Sequence, residues 1–498
     1  MSRRLSVLAT VILLLFAVVA AQSLNIQYFR AKALDASNEN PRVASPVTNA
    51  PRGEIMAANG AILARSVVGA GPSNYQRIYP FGPLTAGVVG WTSPSYGTWA
   101  LEAQYNQYLS PHAQPPQSLA QVFAPTSAAD SVTLTLQPSL QAVAAHALGG
   151  VDGAAVVLDP RNGNIMAMYS NPTYNPAPFT SSTYSVAAAA WKKDNTNNAN
   201  GFPPLGLVAT QQTFPPGSTF KVVTTSAVVV SKPQLLSKYY PVLTTTALPN
   251  SNKTLSNYAF SSCGGTIAEM LPPSCDTGYA LVGLDVGGVD LTKAADSFGY
   301  NQVPPIDLPG VVASYFPPAS VLTYDQPVLA YSAIGQENVR TSALMNALVA
   351  GAVGNGGVMM TPHFLNFVSG PDGSIIKRYV PSVWKTPLTS HQAGEIVPLM
   401  VNVAKFGTAA GVFPAADDVA AKTGTSQTGN RVQNTDDWMI AFAPANHPTI
   451  AVAVVVPFQR TSATGASVAG PIMRCLVEGA LAIQSGAPAS GTATTCHR

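Results

Sequence analysis

Ser218 and Lys221 form a Ser-x-x-Lys pattern, in which a hydroxyl and an amine stand three residues apart. A serine hydroxyl is a poor nucleophile at neutral pH and needs a base within hydrogen-bond reach. If a helix begins at Ser218, Lys221 lies beside it on the same face. Burial disfavours the charged form of a lysine, so Lys221 can act as that base. The pattern favours acyl-transfer chemistry, although Ser-x-x-Lys alone also occurs by chance.

A second segment, Ser274-Cys275-Asp276, follows later in the chain. We expect Ser274 to relay a proton between the lysines and a leaving amine, and Asp276 to add a negative charge near Lys221. Taken alone, the segment is typical of a helix N-cap, because residues 277–284 have a helical pattern. The segment is informative because it occurs together with the other two segments, and not because of its own spacing.

A third segment, Lys422-Thr423-Gly424-Thr425, completes the set of groups that acyl transfer needs. We expect Lys422 to maintain the electrostatic balance of the site, and the Thr423 and Thr425 hydroxyls to bind a substrate carboxylate. Gly424 would let a ligand approach the strand backbone. The backbone N–H groups of Ser218 and Thr425 are the predicted oxyanion hole.

Histidine-based catalysis is a weaker hypothesis for this chain. Its six histidines are scattered, and none has a sequence context that marks it as a catalytic base. A Ser-His-Asp triad would also leave both lysine segments unexplained. No Cys/His spacing indicates a zinc site.

The composition indicates a globular chain of more than one domain that does not bind nucleic acid. It has 498 residues, of which 47% are hydrophobic, and its net charge of +3 is nearly balanced. Only 10% of the residues are charged, against about 25% in typical soluble proteins. No basic run offers a surface for nucleic acid.

Residues 5–24 form an uncharged stretch long enough to cross a bilayer. Arg3 and Arg4 precede it, which predicts a cytoplasmic tail at 1–4, a single membrane anchor and an extracytoplasmic remainder. The alternative is a cleaved signal peptide, with a cleavage site near Val19-Ala20-Ala21. We favour the anchor, because signal peptides usually have shorter apolar cores.

An exported domain with four cysteines permits disulfides. Three pairings are possible, and the most local one joins Cys263 to Cys275 and Cys475 to Cys496. The first bond would clamp the loop that leads into the second segment. Buried free thiols remain the alternative.

The rest of the chain divides into a linker at 25–51, a first domain at 52–150, a second domain at 151–484 and a flexible tail at 485–498. Residues 131–136 alternate like a strand, and 137–148 have helical spacing. Residues 154–158 and 165–169 predict a hairpin around Asn162-Gly163. In the second domain we expect a buried helix from Ser218, an antiparallel meander of strands at 422–427, 438–443 and 449–456, and a closing helix at 470–484.

These three segments in this order resemble the motifs of the class B penicillin-binding proteins, particularly the shorter division- or elongation-type forms of actinobacteria. The resemblance extends over nearly the whole chain. The other matching pieces are Arg52-Gly53-Glu54-Ile55, Asn59-Gly60, Gly97, Leu101-Glu102, Leu158-Asp159-Pro160, Gly163, Ile165-Met166-Ala167, Gly335-Gln336, Asn355-Gly356-Gly357 and Trp438.

The resemblance implies an α+β fold, in which a membrane-anchored pedestal domain precedes a transpeptidase domain with an antiparallel sheet flanked by helices, as in serine β-lactamases. The implied activity is a peptidoglycan D,D-transpeptidase, in which Ser218 attacks the D-Ala-D-Ala end of a stem peptide and releases D-alanine. β-Lactams would acylate the same serine, and neither a metal nor an organic cofactor is implied. The implied partners are a polytopic glycan polymerase and other cell-wall synthesis proteins.

Two departures from the family pattern matter. Asp276 stands where Asn is more usual, although some elongation-type relatives carry Asp there, and Met56-Ala57-Ala58 replaces a usual Asp-Arg pair. Three alternatives remain: an exported serine β-lactamase or β-lactam sensor, a D,D-carboxypeptidase, and a membrane-anchored scaffold with an idle pocket. The intact Ser218, Lys221, Ser274 and Lys422 argue against the scaffold.

Overall fold

The computed structural model describes residues 3–26, 30, 51–69, 75–113, 127–414, 417–427, 434–460 and 462–486. Most of the predicted linker at 25–51 and of the predicted tail at 485–498 lies outside this range, as does Cys496, so its predicted bond to Cys475 stays a prediction. The described residues mix helices with mainly antiparallel sheets. The predicted α+β class is confirmed.

The helices range from single turns to the N-terminal helix of 22 residues. In chain order they are α1 (Arg3–Leu24), α2 (Ala86–Val89), α3 (Leu101–Gln104), α4 (Asn106–Leu109), α5 (Pro138–Leu148), α6 (Tyr184–Asp194), α7 (Val208–Gln211), α8 (Lys221–Ser231), α9 (Ile267–Met270), α10 (Asp276–Val286), α11 (Gly288–Ser297), α12 (Ala319–Tyr324), α13 (Gln326–Ala333), α14 (Ala343–Gly354), α15 (Ser390–Phe406) and α16 (Gly465–Gln484).

The strands fall into two large sheets and several two-stranded ribbons. In chain order they are β1 (Ile55–Met56), β2 (Ile62–Val68), β3 (Tyr75–Ile78), β4 (Thr92–Ser93), β5 (Gly97–Thr98), β6 (His112–Ala113), β7 (Ser127–Ala128), β8 (Ser131–Leu134), β9 (Gly153–Leu158), β10 (Ile165–Asn171), β11 (Tyr240–Leu243), β12 (Thr245–Ala247), β13 (Thr254–Ser256), β14 (Cys263–Gly265), β15 (Met359–Met360), β16 (Leu365–Ser369), β17 (Ile375–Arg378), β18 (Val383–Lys385), β19 (Ala420–Gln427), β20 (Asn434–Ala443) and β21 (Ile450–Arg460).

Helix α1 covers the predicted anchor and exposes large apolar side chains, among them Leu13, Phe16 and Val18. Thr10–Leu24 of α1 is a shorter apolar helix, and the one helix in the described part of the chain that is long and apolar enough to cross a membrane is α16. Half of that helix is buried, however, because it packs against β20 and β21. Its apolar character is therefore that of a core helix, whereas the exposed apolar surface of α1 is the feature that a membrane anchor needs.

The first large sheet has the strand order β17-β16-β8-β1-β2-β3. Its outer strands β16 and β17 come from residues that the sequence assigned to the second domain, so the sheet is not built from 52–150 alone. Beside it, Arg52 Nη2 lies 2.9 Å from Glu102 Oε2, and Arg77 Nε lies 2.6 Å from Oε1. This buried ion cluster joins two of the sequence pieces on which the resemblance rests.

The second large sheet has the order β10-β9-β21-β20-β19, with every neighbouring pair antiparallel. The predicted hairpin at 154–169 and the predicted three-stranded meander are both confirmed. Helices α5, α14, α15 and α16 pack against this sheet or each other. Since α5 lies within the predicted first domain, the chain enters the second core slightly before residue 151. Strand β19 is left at the edge, facing the cleft described below.

Helix α8 is buried along nearly its whole length. Its β-branched residues favour a strand by intrinsic preference, but a helix that is surrounded by protein needs apolar residues on every face. Its interior hydroxyls are satisfied locally, because Thr225 donates to the carbonyl oxygen of Lys221 at 2.7 Å and Ser226 donates to that of Val222 at 2.8 Å. Tertiary burial therefore decides in favour of the predicted helix.

Candidate active site

Ser218 lies in a 3₁₀ turn, Gly217–Phe220, that leads directly into α8. Gly217 has φ +52°, a left-handed conformation that glycine adopts without strain, and its N–H donates to the carbonyl oxygen of Gly335 at 2.9 Å. Ser218 itself is partly exposed and lines the large cleft. The turn thus presents the serine hydroxyl at the N-terminal end of a buried helix, where backbone N–H groups are free to bind an anion.

Four of the predicted side chains meet in one hydrogen-bonded cluster. Lys221 Nζ donates to Asp276 Oδ1 at 2.7 Å and to the carbonyl oxygen of Ser274 at 2.6 Å, and it lies 3.4 Å from Ser274 Oγ. Lys422 Nζ donates to the same Oγ at 2.8 Å. The hydroxyl of Ser274 therefore bridges two buried amines that come from different ends of the domain.

Both amines are biased towards the neutral form. Burial lowers the pKa of Lys221, and the charge and hydrogen bond of Asp276 oppose that decrease. Burial also lowers the pKa of Lys422, well below its usual value, and the positive charge of Lys221 adds to the effect. A neutral amine is the form that can take a proton, so burial prepares this pair for base catalysis.

Among the described residues, the side chain of Ser218 has no hydrogen-bond partner, since Lys221 is held by Asp276 and Ser274 instead. Catalytic hydrogen bonds are often absent from unliganded sites and form only once a substrate is bound. The free hydroxyl is consistent with a nucleophile that pairs with Lys221 when a substrate enters the cleft.

The second segment is held by contacts that sequence reasoning only partly anticipated. Helix α10 begins at Asp276 with Cys275 as its N-cap residue, and a disulfide joins Cys275 to Cys263, with the Cα atoms 5.8 Å apart. Ser274 has φ +63°, an uncommon backbone conformation for a residue other than glycine. Such conformations persist only where the surroundings enforce them, and they are frequent at functional sites.

Asn257 is a positioning residue that the sequence did not reveal. It is buried, and its Oδ1 accepts a hydrogen bond from the backbone N–H of Thr277 at 2.8 Å. Its amide donates to the carbonyl oxygens of Leu243 and Ser261 at 2.8 and 2.9 Å. Asn257 and the disulfide therefore fasten the same loop to the start of α10. An isolated Asn in a polar loop carries no sequence pattern that would have marked it.

The third segment runs along the edge strand β19. Thr423 Oγ1 shares a hydrogen bond of 2.5 Å with Thr408 Oγ1, another cleft residue that the sequence analysis did not single out. Thr425 Oγ1 accepts a hydrogen bond from the backbone N–H of Gly465 at 3.0 Å. Both predicted anchor hydroxyls lie beside the nucleophile turn, on a strand edge whose outward backbone groups can reach a ligand.

Gly424 has a more immediate role than the predicted approach of a ligand. A Cβ atom at this position would lie 2.6 Å from the carbonyl oxygen of Pro216 and 2.9 Å from Cγ2 of Thr219. The nucleophile turn thus packs against the bare backbone of β19. This close approach brings Ser218 and Thr425, whose N–H groups are the predicted oxyanion hole, to the same wall of the cleft.

The cleft has a volume of about 1530 Å³ and is lined by groups from all three segments. Typical small-molecule sites measure about 300–1,000 Å³, so this cleft is larger than one small ligand requires. Within the described ranges, no cluster of three or more His, Cys, Asp or Glu residues could hold a metal ion. The cleft brings together hydroxyls, the carboxylate of Asp276 and the edge of β19.

Two family models match the chain. The penicillin-binding protein transpeptidase domain matches residues 153–478, and the penicillin-binding protein A dimerisation domain matches residues 52–126. Together they cover the second sheet with its cleft and most of the first sheet.

Individual proteins match nearly the whole chain. Peptidoglycan D,D-transpeptidase PbpA of Mycobacterium tuberculosis is 33% identical, over 96% of this chain and 98% of that protein. PbpA of Mycolicibacterium smegmatis is also 33% identical, with 97% and 99% covered. Among solved structures, a penicillin G acyl-enzyme complex of penicillin-binding protein A from M. tuberculosis aligns with a TM-score of 0.78 at 32% identity, and covers 86% of this chain and 99% of that one.

Proposed function

This chain belongs to the class B penicillin-binding proteins and is a peptidoglycan D,D-transpeptidase, and we propose that Ser218 is its nucleophile and Lys221 the base that activates it. The observation that carries this assignment is the cluster in which Ser274 Oγ lies within 3.4 Å of Lys221 Nζ and 2.8 Å from Lys422 Nζ, beside a serine at the start of a buried helix.

The first half-reaction forms an acyl-enzyme. Ser218 Oγ attacks the carbonyl carbon of the penultimate D-alanine, while neutral Lys221 takes the hydroxyl proton. Backbone N–H groups of Ser218 and Thr425 stabilise the oxyanion that develops, an arrangement whose single donors are worth about a hundredfold or more in rate. The peptide C–N bond then breaks, and the amine of D-alanine leaves with a proton delivered through Ser274.

The second half-reaction reverses the proton path. An amine on a neighbouring stem peptide loses its proton through Ser274 and Lys221, and attacks the ester carbonyl. Ser218 Oγ recovers a proton as the ester C–O bond breaks, and the new amide is the cross-link. A cleft of about 1530 Å³ leaves space for parts of two peptides around one serine.

The substrate carboxylate is assigned to the hydroxyls of Thr423 and Thr425, which lie on the edge strand β19 beside the nucleophile turn. A β-lactam places its own carboxylate and strained amide against the same groups, so its acyl-enzyme with Ser218 is the analogue of the first half-reaction. The solved complexes of penicillin-binding protein A with β-lactams support this assignment by relationship.

The exposed apolar surface of α1 supports a single-pass anchor with residues 1–4 in the cytoplasm and the catalytic domain outside. A polytopic glycan polymerase is the proposed partner, because a D,D-transpeptidase acts on the stem peptides of glycan strands, and a polymerase makes those strands. We include in this proposal that the protein works in cell division or in cell elongation.

A labelling experiment with a fluorescent penicillin tests the nucleophile. The detergent-solubilised full chain should form a covalent adduct that persists for hours, and Ser218→Ala should form none. Ser261→Ala is the matched control, since this exposed serine lines the same cleft without a side-chain role in the mechanism. Loss of label within minutes would indicate a β-lactamase, and absence of label in the folded wild type would leave the scaffold hypothesis.

A further inference from the structure

Asp437 lies behind the wall of the cleft, directly opposite Thr425 in the pairing of β20 with β19. Directly opposed residues of antiparallel strands place their side chains on the same face of the sheet, with Cβ atoms about 4.5–5.5 Å apart. The Asp437 carboxyl therefore lies next to the Thr425 hydroxyl. Asp437 is fully buried, whereas Thr425 reaches the cleft.

The carboxyl group of Asp437 lacks the partners that a buried charge requires. Neither of its oxygens has a hydrogen-bond partner within the described part of the chain. An ionised carboxylate without partners is costly to bury, so the environment favours the protonated acid. Burial raises the pKa of Asp437 to about 7, and the charge of Asp436 adds to this increase.

Asp436 is the neighbour that matters most. Its Oδ1 accepts a hydrogen bond from the backbone N–H of Phe458 at 3.1 Å, while its Oδ2 has no partner among the described residues. Burial raises the pKa of Asp436 to about 6, and Arg340 opposes the increase. The two adjacent acids repel each other when both are ionised, so Asp437 is the one that stays protonated to higher pH.

The other elements packed against β20 bring little charge towards Asp437. Helix α14 and the turn at Gly217–Phe220 carry no titratable side chain. The first two turns of α16 carry none either, and its acid and base pair with each other further along. The remaining charged groups on these elements are Lys422 of β19, Arg460 of β21 and the Arg474–Glu478 pair of α16. Lys422 donates a hydrogen bond to Ser274, and Arg460 is paired in register with Asn434.

We propose that Asp437 is a positioning residue that sets, through its charge, how well the Thr425 hydroxyl binds the terminal carboxylate of a stem peptide or β-lactam. Thr425 Oγ1 already accepts the N–H of Gly465, so the threonine has one proton left to donate. An ionised Asp437 attracts that proton and withdraws it from the substrate. A protonated Asp437 leaves it free for the substrate carboxylate, and the anchor is then complete.

The consequence is that substrate affinity falls as the pH rises through neutrality, on the side of the membrane where the catalytic domain is proposed to lie. This inference rests on the proposed function, in which Ser218 is acylated and Thr425 binds the carboxylate. The lysines impose the opposite trend on the chemical step, because they work as neutral bases at higher pH. The two effects are separable, since one acts on binding and the other on the acylation rate.

The test measures acylation of the full chain by a fluorescent penicillin as a function of penicillin concentration, from about pH 5 to pH 9, on both sides of the Asp437 pKa of about 7. This yields a dissociation constant and an acylation rate constant at each pH. In the wild type the dissociation constant should rise about tenfold with pH, the effect expected for losing one hydrogen bond to a charged group. Asp437→Asn should keep the low value throughout.

Two further variants test whether the effect depends on the pKa of Asp437 and acts through the Thr425 hydroxyl. Asp436→Asn retains Asp437 but removes the charge that raises its pKa, so the rise in the dissociation constant should move to lower pH. In a Thr425→Val background, Asp437→Asn should change the dissociation constant less than twofold, because the hydroxyl through which it acts is gone. If Asp437→Asn does not fold, the shift caused by Asp436→Asn decides the question.

An Asp437→Asn protein with the wild-type pH profile, or an effect that survives in Thr425→Val, overturns the role of Asp437. Either outcome leaves the assignment of the nucleophile intact as long as labelling still depends on Ser218. Loss of that dependence would instead overturn the proposed function.

Discussion

Lys422 Nζ donates a hydrogen bond to Ser274 Oγ at 2.8 Å, and so joins β19 to the loop before α10 across 148 positions of the chain. Lys221 Nζ lies 3.4 Å from the same oxygen and is held by Asp276. Because one hydroxyl lies between two amines of lowered pKa, a proton can move along the cluster without entering bulk water.

Removal of the Ser274 hydroxyl tests this path. Ser274→Ala should slow acylation by fluorescent penicillin by about a hundredfold or more, the range in which a single proton donor or acceptor acts. Ser274→Gly is the control for backbone strain, because glycine adopts the φ of +63° without a penalty. Equal losses in both variants would assign the effect to the hydroxyl. Recovery of the rate in Ser274→Gly would assign it to the backbone.

Asp276→Asn should move the rising limb of the acylation pH profile to lower pH, because a nearby negative charge favours the protonated form of a lysine. Asp276 raises the pKa of Lys221 against the larger effect of burial. Without that charge the pKa falls further, and a larger fraction of Lys221 is neutral at a given pH. Asparagine keeps an oxygen that can accept the hydrogen bond of Lys221.

The control is Asp285→Asn, which removes the carboxylate of a partly exposed Lys–Asp pair, 2.6 Å from Lys238. This change should leave the profile where it is. A profile that stays in place or moves to higher pH in Asp276→Asn would mean that the rising limb does not report the titration of Lys221.

The sequence was sufficient to predict the hairpin and the meander that make up the second sheet, for reasons that are local, but not that β21 pairs with β9 to join them. The hairpin at β9 and β10 is specified by two apolar runs around Asn162-Gly163, and β19 to β21 by three short runs separated by polar segments. Helix α8 was predicted in spite of its β-branched composition, because apolar residues recur at helical spacing after the break at Pro215, Pro216 and Gly217. These residues are Phe220, Val223, Ala227 and Val230.

Contacts between segments that are distant in the chain could not be predicted from the sequence. The strands β16 and β17 complete the first sheet from residues 365–378, and no local pattern shows which sheet a short strand will join. Asn257 and Thr408 matter through a single backbone or hydroxyl partner each, and such partners are set by tertiary packing. The buried carboxyl of Asp437 was missed for the same reason, since burial of an acid is not visible in its own residue type.

Loss of the Cys263–Cys275 disulfide should destabilise the fold and slow acylation together. The bond spans 12 positions, and a loop of this size is worth about 3 kcal/mol by loop-closure entropy. Because Cys275 precedes Asp276 and caps α10, a looser loop also disturbs Ser274, although Asn257 still holds it. We therefore expect a lower unfolding midpoint and a several-fold slower acylation in the Cys263→Ser, Cys275→Ser double variant.

Comparison of both proteins with and without reductant is the internal control. Reductant should lower the midpoint of the wild type towards that of the double variant, and any further change that it causes in the double variant reports on Cys475. A double variant as stable as the wild type would show that the loop is held by its non-covalent contacts alone.

Gly424→Ala tests the close packing of the nucleophile turn on β19. The added Cβ would lie 2.6 Å from the carbonyl oxygen of Pro216, a backbone atom that can move only with the turn itself. Such a displacement shifts Ser218 relative to Thr425, and misplacement of reacting groups by about 1 Å can cost a hundredfold in rate. We expect acylation to fall about a hundredfold, with a loss of stability of about 1–3 kcal/mol from overpacking.

Gly394→Ala is the matched control for this substitution. Gly394 lies within α15, and a Cβ at that position meets nothing within 4 Å. Alanine is favoured over glycine inside a helix by about 1 kcal/mol, so this variant should be slightly more stable than the wild type and acylate at the same rate. If Gly424→Ala acylates as fast as Gly394→Ala, the turn has room to relax, and the contact between β19 and the nucleophile turn does not set the position of Ser218.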